Sequence, residues 1–427
     1  MEKIQPQPEQ KPHNRYKGYK TIRFPMDESQ YGEFLHDPAL ARAYLDERLG
    51  EHAEIFPAQM QEGYHLNGFT ETSVKLGLRQ RRILIKATGE VFTLAPSFVM
   101  PYMSGKTEQV EDALFFMRFH VPYWALSFVF GRTEMYWYNL HCSLGRFSVV
   151  GTTVGQANDL PRDLVADEKH TRLCGEKAYV AMTAGADCIL GASLTSEASE
   201  QALATAYGVF AEEAQVLDAD YAPETVNTDG WKATQKAWKS LFPQVVVILC
   251  FLHGFLKIRD RATQKMKAAF EEVGDKVWHA YRAETKGQFA QRLRRLKEWA
   301  EAKLDESPMK QHELDLCAKR SAFIQSYDHA TAHRTSNMVD RLMKFMDRAF
   351  FMAQYFHGTK ASAELRVRSL ALLWNFCPSS PQTVKKHNGK LSPAERLNGK
   401  RYADNWLENL LISGSMNGYR THQQHPL

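Results

Sequence analysis

Apolar and polar residues recur with different periods along this chain, and each period predicts a different kind of element. Residues 31–64 show the spacing of helices, whereas 66–97 contain short β-prone runs at 82–86 and 90–94 that are separated by Thr88-Gly89. The pattern therefore predicts an N-terminal α/β unit.

Residues 163–250 alternate between strand and helix periodicity. The predicted order is three strands, a helix, a strand, a helix and a final, fully buried strand, at 163–170, 176–183, 188–194, 199–217, 224–229, 231–241 and 245–250. This is the order of an RNase H-like mixed sheet flanked by helices, in which the first strand and the end of the fourth lie side by side. The fold class is therefore α/β.

Between these units, residues 107–145 predict three helices, at 108–119, 123–130 and 134–144. Thr133 is a suitable N-cap for the third helix, and a short turn at 131–133 joins it to the second, as in a helix-turn-helix. Candidate DNA contacts on or beside the third helix are Arg132, Tyr136, Asn139 and Arg146. The alternative is a helical packing unit with buried aromatic residues.

Residues 254–334 read as almost entirely helical, and 254–297 contain twelve Lys or Arg against five acids. Such runs usually form a solvated face. Next to a pocket of carboxylates, contact with a phosphate backbone is favoured, and Lys257 and Arg259 are candidates for it. The long helix predicted at 338–356 carries Asp340 and Lys344 one turn apart, on the face opposite its apolar stripe.

Composition limits the class of protein. At 427 residues the chain exceeds a single core, and its net charge of +5 mildly favours a polyanionic partner. The scattered cysteines include no C-x-x-C pair, which argues against a disulfide scaffold or a four-cysteine zinc site and favours the cytoplasm. The leader at 1–20 is predicted to be disordered, and no apolar run is long enough for a membrane span.

Three acids carry the candidate chemistry: Asp167 on the first strand of the α/β layer, Asp229 at the end of the fourth, and Asp340 on the later helix. Carboxylates in one pocket repel each other unless a cation lies between them, and hard divalent ions take oxygen ligands. The three are therefore candidate catalytic and metal-binding residues for Mg²⁺ or Mn²⁺. Glu168 points to the opposite side of its strand and is not expected to be a ligand.

Cys250 and His253 follow the fifth strand with the spacing of a zinc-binding pair, but no second pair accompanies them. We therefore expect both side chains to pack behind the acidic pocket and to orient the end of the strand.

With these residues in place, the chain resembles bacterial insertion-sequence transposases of the Asp-Asp-Glu type, and among them the Mutator-like branch. The resemblance spans roughly residues 110–400. It rests on the following motifs: Thr228-Asp-Gly230, a helix ending at Leu241-Phe-Pro243, Cys250-Phe-Leu-His253, Thr335-Ser-Asn337 and Leu391-Ser-Pro-Ala-Glu-Arg396. Separations of 62 residues between the first two acids and 111 between the second and third fit that branch's helical insertion.

The resemblance implies Mg²⁺-dependent cleavage and strand transfer of double-stranded DNA. It also implies recognition of the element's terminal repeats by an N-terminal helix-turn-helix, action as a homo-oligomer on paired ends, and a place at the bacterial nucleoid. Lys344 would contact a phosphate near the cut. The family's third acid is glutamate, whereas this chain has Asp340 at that place, with Asp347 and Glu364 as fallback candidates.

Two other classes remain open on the sequence. A different RNase H-like nuclease would share the acidic pocket but lack a module that reads DNA ends, and a non-catalytic DNA-binding protein derived from a transposase would bind DNA without turnover.

The predicted domains are the leader (1–20), an α/β accessory region (21–104), the helix-turn-helix region (105–150), the first part of the RNase H-like core (160–253), the all-α insertion (254–334), the catalytic helix and core completion (335–377) and a C-terminal tail (378–427).

Overall fold

The computed structural model describes residues 20–419. Apart from Lys20, the leader predicted at 1–20 therefore lies outside the described residues. The described chain is a mixed α/β protein with one four-stranded and one five-stranded sheet. Within this part of the chain, no helix combines the length and the apolar character needed to span a bilayer.

The four-stranded sheet belongs to the N-terminal unit. Its strands and helices are β1 (Thr21–Phe24), α1 (Glu28–His36), α2 (Pro38–Glu51), β2 (Tyr64–Phe69), β3 (Arg81–Ile85) and β4 (Val91–Pro96). The strand order is β1-β4-β3-β2, with β1 parallel to β4 and the other neighbours antiparallel. Alternate residues of β3 are buried, as expected for a strand with one face against a core.

Helices α3 (Glu111–Arg118), α4 (Tyr123–Phe130), α5 (Glu134–Leu144) and α6 (Val149–Thr153) connect the two sheets. Thr133 caps α5 as predicted, because its side-chain oxygen accepts a hydrogen bond from the Tyr136 N–H. Trp137 and His141 are buried, and the inner side of α5 belongs to a core shared with the C-terminal helices. Trp137 and His141 are therefore placed as in the alternative prediction, a helical packing unit with buried aromatic residues.

The five-stranded sheet follows the predicted sequence of elements closely. Its components are β5 (Asp163–Leu173), β6 (Glu176–Gly185), β7 (Cys188–Thr195), α7 (Glu200–Leu217), β8 (Thr225–Thr228), α8 (Lys232–Leu241) and β9 (Val246–Leu249). The order across the sheet is β7-β6-β5-β8-β9. β5, β6 and β7 are antiparallel neighbours, whereas β8 is parallel to both β5 and β9. The first and fourth strands are therefore adjacent, as predicted.

The last strand differs from its prediction. We predict a fully buried strand at 245–250, but β9 lies at the edge of the sheet, and of its four residues only Ile248 is buried. An edge strand has a neighbour on one side only, so its apolar run is covered in part by the helices that follow it.

The segment after β9 is helical, as predicted for the insertion. It contains α9 (Phe251–Arg259), α10 (Lys267–Tyr281), α11 (Lys286–Lys303), α12 (Pro308–Ala318) and α13 (Arg320–Ile324), which enclose a separate apolar core.

Five further helices complete the described chain: α14 (Asn337–Met352), α15 (Lys360–Phe376), α16 (Pro381–Lys386), α17 (Pro393–Asn398) and α18 (Trp406–Ser413). The helix predicted at 338–356 thus ends four residues early. α14 and α15 cover one face of the five-stranded sheet, and α7 and α8 cover the other. The predicted tail at 378–427 includes α18, whose Leu407, Leu410 and Leu411 are fully buried.

Candidate metal and nucleic-acid site

Alternation along β5 directs Asp167 toward α14. Val165 belongs to the core beneath α14 and α15, and Asp167 lies two residues further along the same strand, hence on the same face. Glu168 points the other way, as predicted. It is buried, and one carboxylate oxygen accepts hydrogen bonds of 2.7 Å from the Tyr207 and Thr234 hydroxyls.

Asp229 follows the end of β8 and lies beside β5. The parallel register pairs Val165 with Asn227, two residues before each acid, and the charge of Asp229 raises the pKa of Asp167, so the two carboxylates lie near each other. One Asp229 oxygen accepts a hydrogen bond of 2.8 Å from the Trp231 N–H, and the intervening Gly230 has φ +98°, which lets the chain turn sharply after the acid.

Ser336 fixes the point at which the chain returns from the insertion. It is fully buried, and its N–H donates to the Cys250 sulfur at 3.2 Å. Its hydroxyl lies 3.3 Å from Nδ1 of His253 and donates to an Asp340 oxygen at 3.1 Å. The Phe251 N–H also donates to the Arg334 carbonyl. The end of β9 thereby holds the start of α14 and presents Asp340 to the sheet.

This return brings two acids and a histidine together. Asp167, His253 and Asp340 each offer one ligand atom, and these three atoms all lie within 4.8 Å of one another. Asp229 adjoins this group without belonging to it. We expect both Cys250 and His253 to pack behind the acidic pocket. Cys250 does so, against Ser336, whereas His253 lies among the acids themselves.

Electrostatics reflects the crowding of negative charge. The pKa of Asp167 is raised to about 6, first by burial and then by the charges of Asp229 and Asp340, against the opposing charge of His253. The pKa of His253 is raised to about 9, chiefly by its hydrogen bond with Cys250 and also by the two acids. Burial acts to raise the pKa of Cys250, but hydrogen bonds from His253 and Ser336 outweigh it and lower that pKa. At neutral pH His253 is therefore protonated beside the carboxylates, and a cation that takes its ring nitrogen as a ligand must displace that proton.

An open cleft of about 1290 Å³ leads away from the acids. His253 and Asp340 stand at its edge, and α14 forms its floor. Six basic side chains line it against two acidic ones, namely Arg118, Lys169, Arg259, Arg341, Lys344 and Arg348 against Asp340 and Asp347. Lys344 and Arg348 are exposed, and neither forms an ion pair with any residue in the described part of the chain. The cleft is therefore electropositive beside an acidic centre.

The other basic candidates differ in position. Arg259 lines the cleft and pairs with Asp260 at 3.0 Å, whereas Lys257 is exposed on α9 outside it. Of the fallback acids, Asp347 lies in the cleft but pairs with Lys169 at 2.9 Å, and Glu364 lies on α15 outside the acid group.

Three of the four candidate DNA contacts near α5 line a second, smaller groove, and the fourth, Arg132, does not line it. Tyr136, Asn139 and Arg146 line this groove of about 470 Å³. The Arg132 guanidinium lies 5.6 Å from the centre of the Tyr136 ring, and the Tyr136 hydroxyl donates to the Ser104 carbonyl. The Arg146 guanidinium donates to the Tyr102 hydroxyl at 2.9 Å. Two of the four candidates are thus held by hydrogen bonds within the protein.

Three side chains beside the acids and in the large cleft are not among the candidates predicted from the sequence. Lys169 lies two residues beyond Asp167 on the same face, so strand alternation alone signals it. Arg348 lies one turn beyond Lys344 on α14. Ser336 has a weaker signal, since only its place in the Thr335-Ser-Asn337 motif marks it.

Comparison of the chain with models of known protein families gives no match, and comparison with curated proteins gives none either.

Proposed function

We propose that this chain is a DNA transposase that cleaves phosphodiester bonds and transfers strands with the help of a divalent cation. The observation that carries the proposal is the meeting of Asp167, Asp340 and His253, with Asp229 alongside, at the edge of an electropositive cleft. Carboxylates from a strand, a neighbouring strand end and a helix serve metal-assisted phosphoryl transfer, and a basic cleft serves a polyanionic substrate.

The strand arrangement supports this proposal. Three antiparallel strands followed by two parallel ones, in the order third-second-first-fourth-fifth, is the order expected of an RNase H-like domain. The all-α segment between β9 and α14 occupies the place of the insertion that the sequence resemblance implies.

The ligand set fits a cation of the Mg²⁺ or Mn²⁺ type. Ligands on opposite sides of a Mg²⁺ ion lie about 4.2 Å apart, so mutual distances within 4.8 Å require little adjustment. Carboxylate oxygens suit both ions, whereas an imidazole nitrogen favours Mn²⁺ over Mg²⁺. Such an ion would activate water or a 3′-hydroxyl and stabilise the leaving oxygen.

Each group of side chains would have its own role. Asp167, Asp229 and Asp340 would supply the negative charge that attracts the cation, and Ser336 would keep Asp340 oriented. Lys344 and Arg348 present unpaired charges to phosphates of the bound strand. The residues at the α5 groove would contact the terminal repeats of the element; they are Arg132, Tyr136, Asn139 and Arg146. Because the two ends of the element would be paired, the chain would act as a homo-oligomer.

A plasmid carrying both DNA flanks of the coding region provides the test. With Mg²⁺ or Mn²⁺ we expect the wild-type chain to nick the plasmid and to join the cut ends to a target. Asp167→Asn is expected to abolish both reactions while leaving DNA binding intact. Asp347→Asn is the matched control, because Asp347 lies in the same cleft outside the acid group, and this variant should retain cleavage. Normal cleavage by Asp167→Asn would overturn the assignment.

One observation favours a second candidate, an RNase H-like nuclease without strand transfer. The inner side of α5 shares a core with α15 and α18, so the helices do not form a separate end-reading module. Nicked plasmid without joined products would select the nuclease, and tight, salt-sensitive DNA binding without any cation-dependent turnover would select the non-catalytic protein.

A further inference from the structure

One wall of the cleft is built from aromatic rings that α3, α14 and α15 contribute. Phe115, Phe119 and His120 come from α3 and the turn after it, Phe345 from α14 and Trp374 from α15. The Phe345 ring centre lies 5.0 Å from those of both His120 and Trp374, and the Phe115 and Phe119 ring centres lie 5.2 Å apart. The rings form two groups beside the basic side chains, Phe115 with Phe119 and Phe345 with His120 and Trp374.

Part of this wall is held rigid from behind. The Trp374 indole N–H donates to the Asp187 carbonyl at 3.0 Å, and the Arg118 guanidinium lies 5.2 Å from the centre of the Trp374 ring. The same guanidinium donates to the carbonyls of Cys377 and Pro378. Because these contacts already fix Trp374, a ligand that stacks on the wall would lose little further side-chain entropy there.

The exposed part of the wall is Phe119, which has 60% of its surface open although it is a large apolar side chain. Beside it, burial lowers the pKa of His120 to about 4, so this imidazole is neutral at physiological pH and presents an uncharged ring. Its Nδ1 atom is buried and has no hydrogen-bond partner among the described residues.

Aromatic faces next to unpaired cations fit one kind of ligand chemistry. Proteins that bind single-stranded nucleic acid combine a positively charged groove, which follows the backbone, with rings on which the bases stack. Bases inside a duplex already stack on each other and leave no free face for Phe119. From Asp340 to Arg348 the helix rises about 12 Å, enough for a few nucleotides along the floor of the cleft.

We propose that the aromatic wall is a stacking subsite for an unpaired base of the DNA strand that lies next to the acids, with Phe119 as its principal contact. This inference rests on the proposed function, because it names the form of DNA that the same cleft accepts. Lys344 and Arg348 hold the phosphates of this strand while Phe119 holds a base.

Binding of short oligothymidylate, compared with an abasic strand of the same length and charge, tests the subsite. Measurements in EDTA make the result independent of the cation. The wild-type chain should prefer oligothymidylate. Phe119→Ala and Phe119→Leu should weaken oligothymidylate binding by between about fivefold and one hundredfold, as expected for one stacked base, and should leave the abasic strand unaffected. Phe119→Trp should retain the preference.

Phe351→Ala is the matched control, because Phe351 is 72% exposed on α14 but does not line the cleft. Equal affinity of the wild-type chain for the two strands, or an unchanged preference in Phe119→Ala, would overturn the subsite. These outcomes are separate from the plasmid test: cleavage without base preference defeats the subsite alone, and base preference without cation-dependent cleavage defeats the proposed function alone.

Discussion

At the scale of single residues, Ser336 links the acids to the remainder of the chain. Its hydroxyl contacts Cys250, His253 and Asp340. The insertion separates Cys250 and His253 from Asp340 in the sequence, and Ser336 brings them together in the fold. Partners behind metal ligands orient those ligands and contribute to affinity for the ion. The role we propose for Ser336 is therefore positional: it would act on a bound cation through Asp340.

Replacing Ser336 with alanine leaves Asp340 without its donor. We expect Ser336→Ala to weaken Mn²⁺ binding by about 10- to 100-fold, as is common for residues behind metal ligands, and calorimetric titration measures this. Ser326→Ala is the control, since the Ser326 hydroxyl is also buried but donates only to the Phe323 carbonyl within the insertion. Equal Mn²⁺ affinity in the two variants would show that Ser336 has only a packing role.

Some of these residues are easier to predict from the sequence than others. Asp167 and Asp229 can be predicted because strand alternation and strand order are local or nearly local properties. The contact between His253 and the acids depends on where the chain re-enters after the insertion, and no periodicity carries that information. The same limitation explains why Ser336 appears in a motif without a role.

At the scale of elements, the insertion contains a buried acid that forms no ion pair with any of the described residues. Glu313 on α12 is inaccessible to solvent, and neither carboxylate oxygen has a hydrogen-bond partner among the described residues. Burial raises its pKa to about 7, and Lys276 opposes this shift. The folded state therefore holds this proton more tightly than the unfolded chain does. Stability is greatest below the ordinary carboxyl pKa and falls as the pH rises through about 7.

The amide of glutamine has the shape of the protonated acid and no charge to bury. Glu313→Gln should raise the free energy of unfolding by about 1–3 kcal/mol at about pH 8.5 and by much less at about pH 5. Urea unfolding at the two pH values measures the difference. Glu301→Gln, an exposed acid on α11, should change stability little at either pH. A gain from Glu313→Gln that is independent of pH would contradict the buried ionisation.

The elements show where pattern analysis succeeds and where it fails. The five strands and two helices of the central layer lie close to their predicted bounds. Several of these bounds are marked in the sequence, for example by Ser199 before α7 and by Pro243 after α8. The edge position of β9 was not predictable, since an apolar run has the same sequence whether two neighbouring strands cover it or one strand and a set of helices do. The packing of α5 on α15 is also a tertiary property, invisible in either helix alone.

At the scale of the whole molecule, the acids and the basic cleft form one surface along α14. Four units of the chain contribute to it: the central sheet, the end of α3, the start of the insertion and the helices after it. Charge of one sign in a cleft raises the local concentration of a polyanion, and the acids lie at its edge.

Removing unpaired cations from this cleft should weaken DNA binding without regard to sequence. Lys344→Ala and Arg348→Ala should each reduce the slope of log affinity against log salt by about one, because each contact with a phosphate releases about one counterion. Fluorescence anisotropy over a series of salt concentrations measures the slope. Lys303→Ala removes an exposed cation outside the cleft and should leave the slope unchanged. Equal slopes for all three variants would place the DNA elsewhere.

The central claim is that Asp167 and Asp340 share a divalent cation. Electron paramagnetic resonance of free Mn²⁺, titrated with the protein, tests it most directly. The wild-type chain should bind Mn²⁺, and Asp167→Asn and Asp340→Asn should each lose more than about tenfold in affinity, with Asp347→Asn close to wild type. Equal Mn²⁺ affinity in the wild-type chain and both acid variants would contradict the claim.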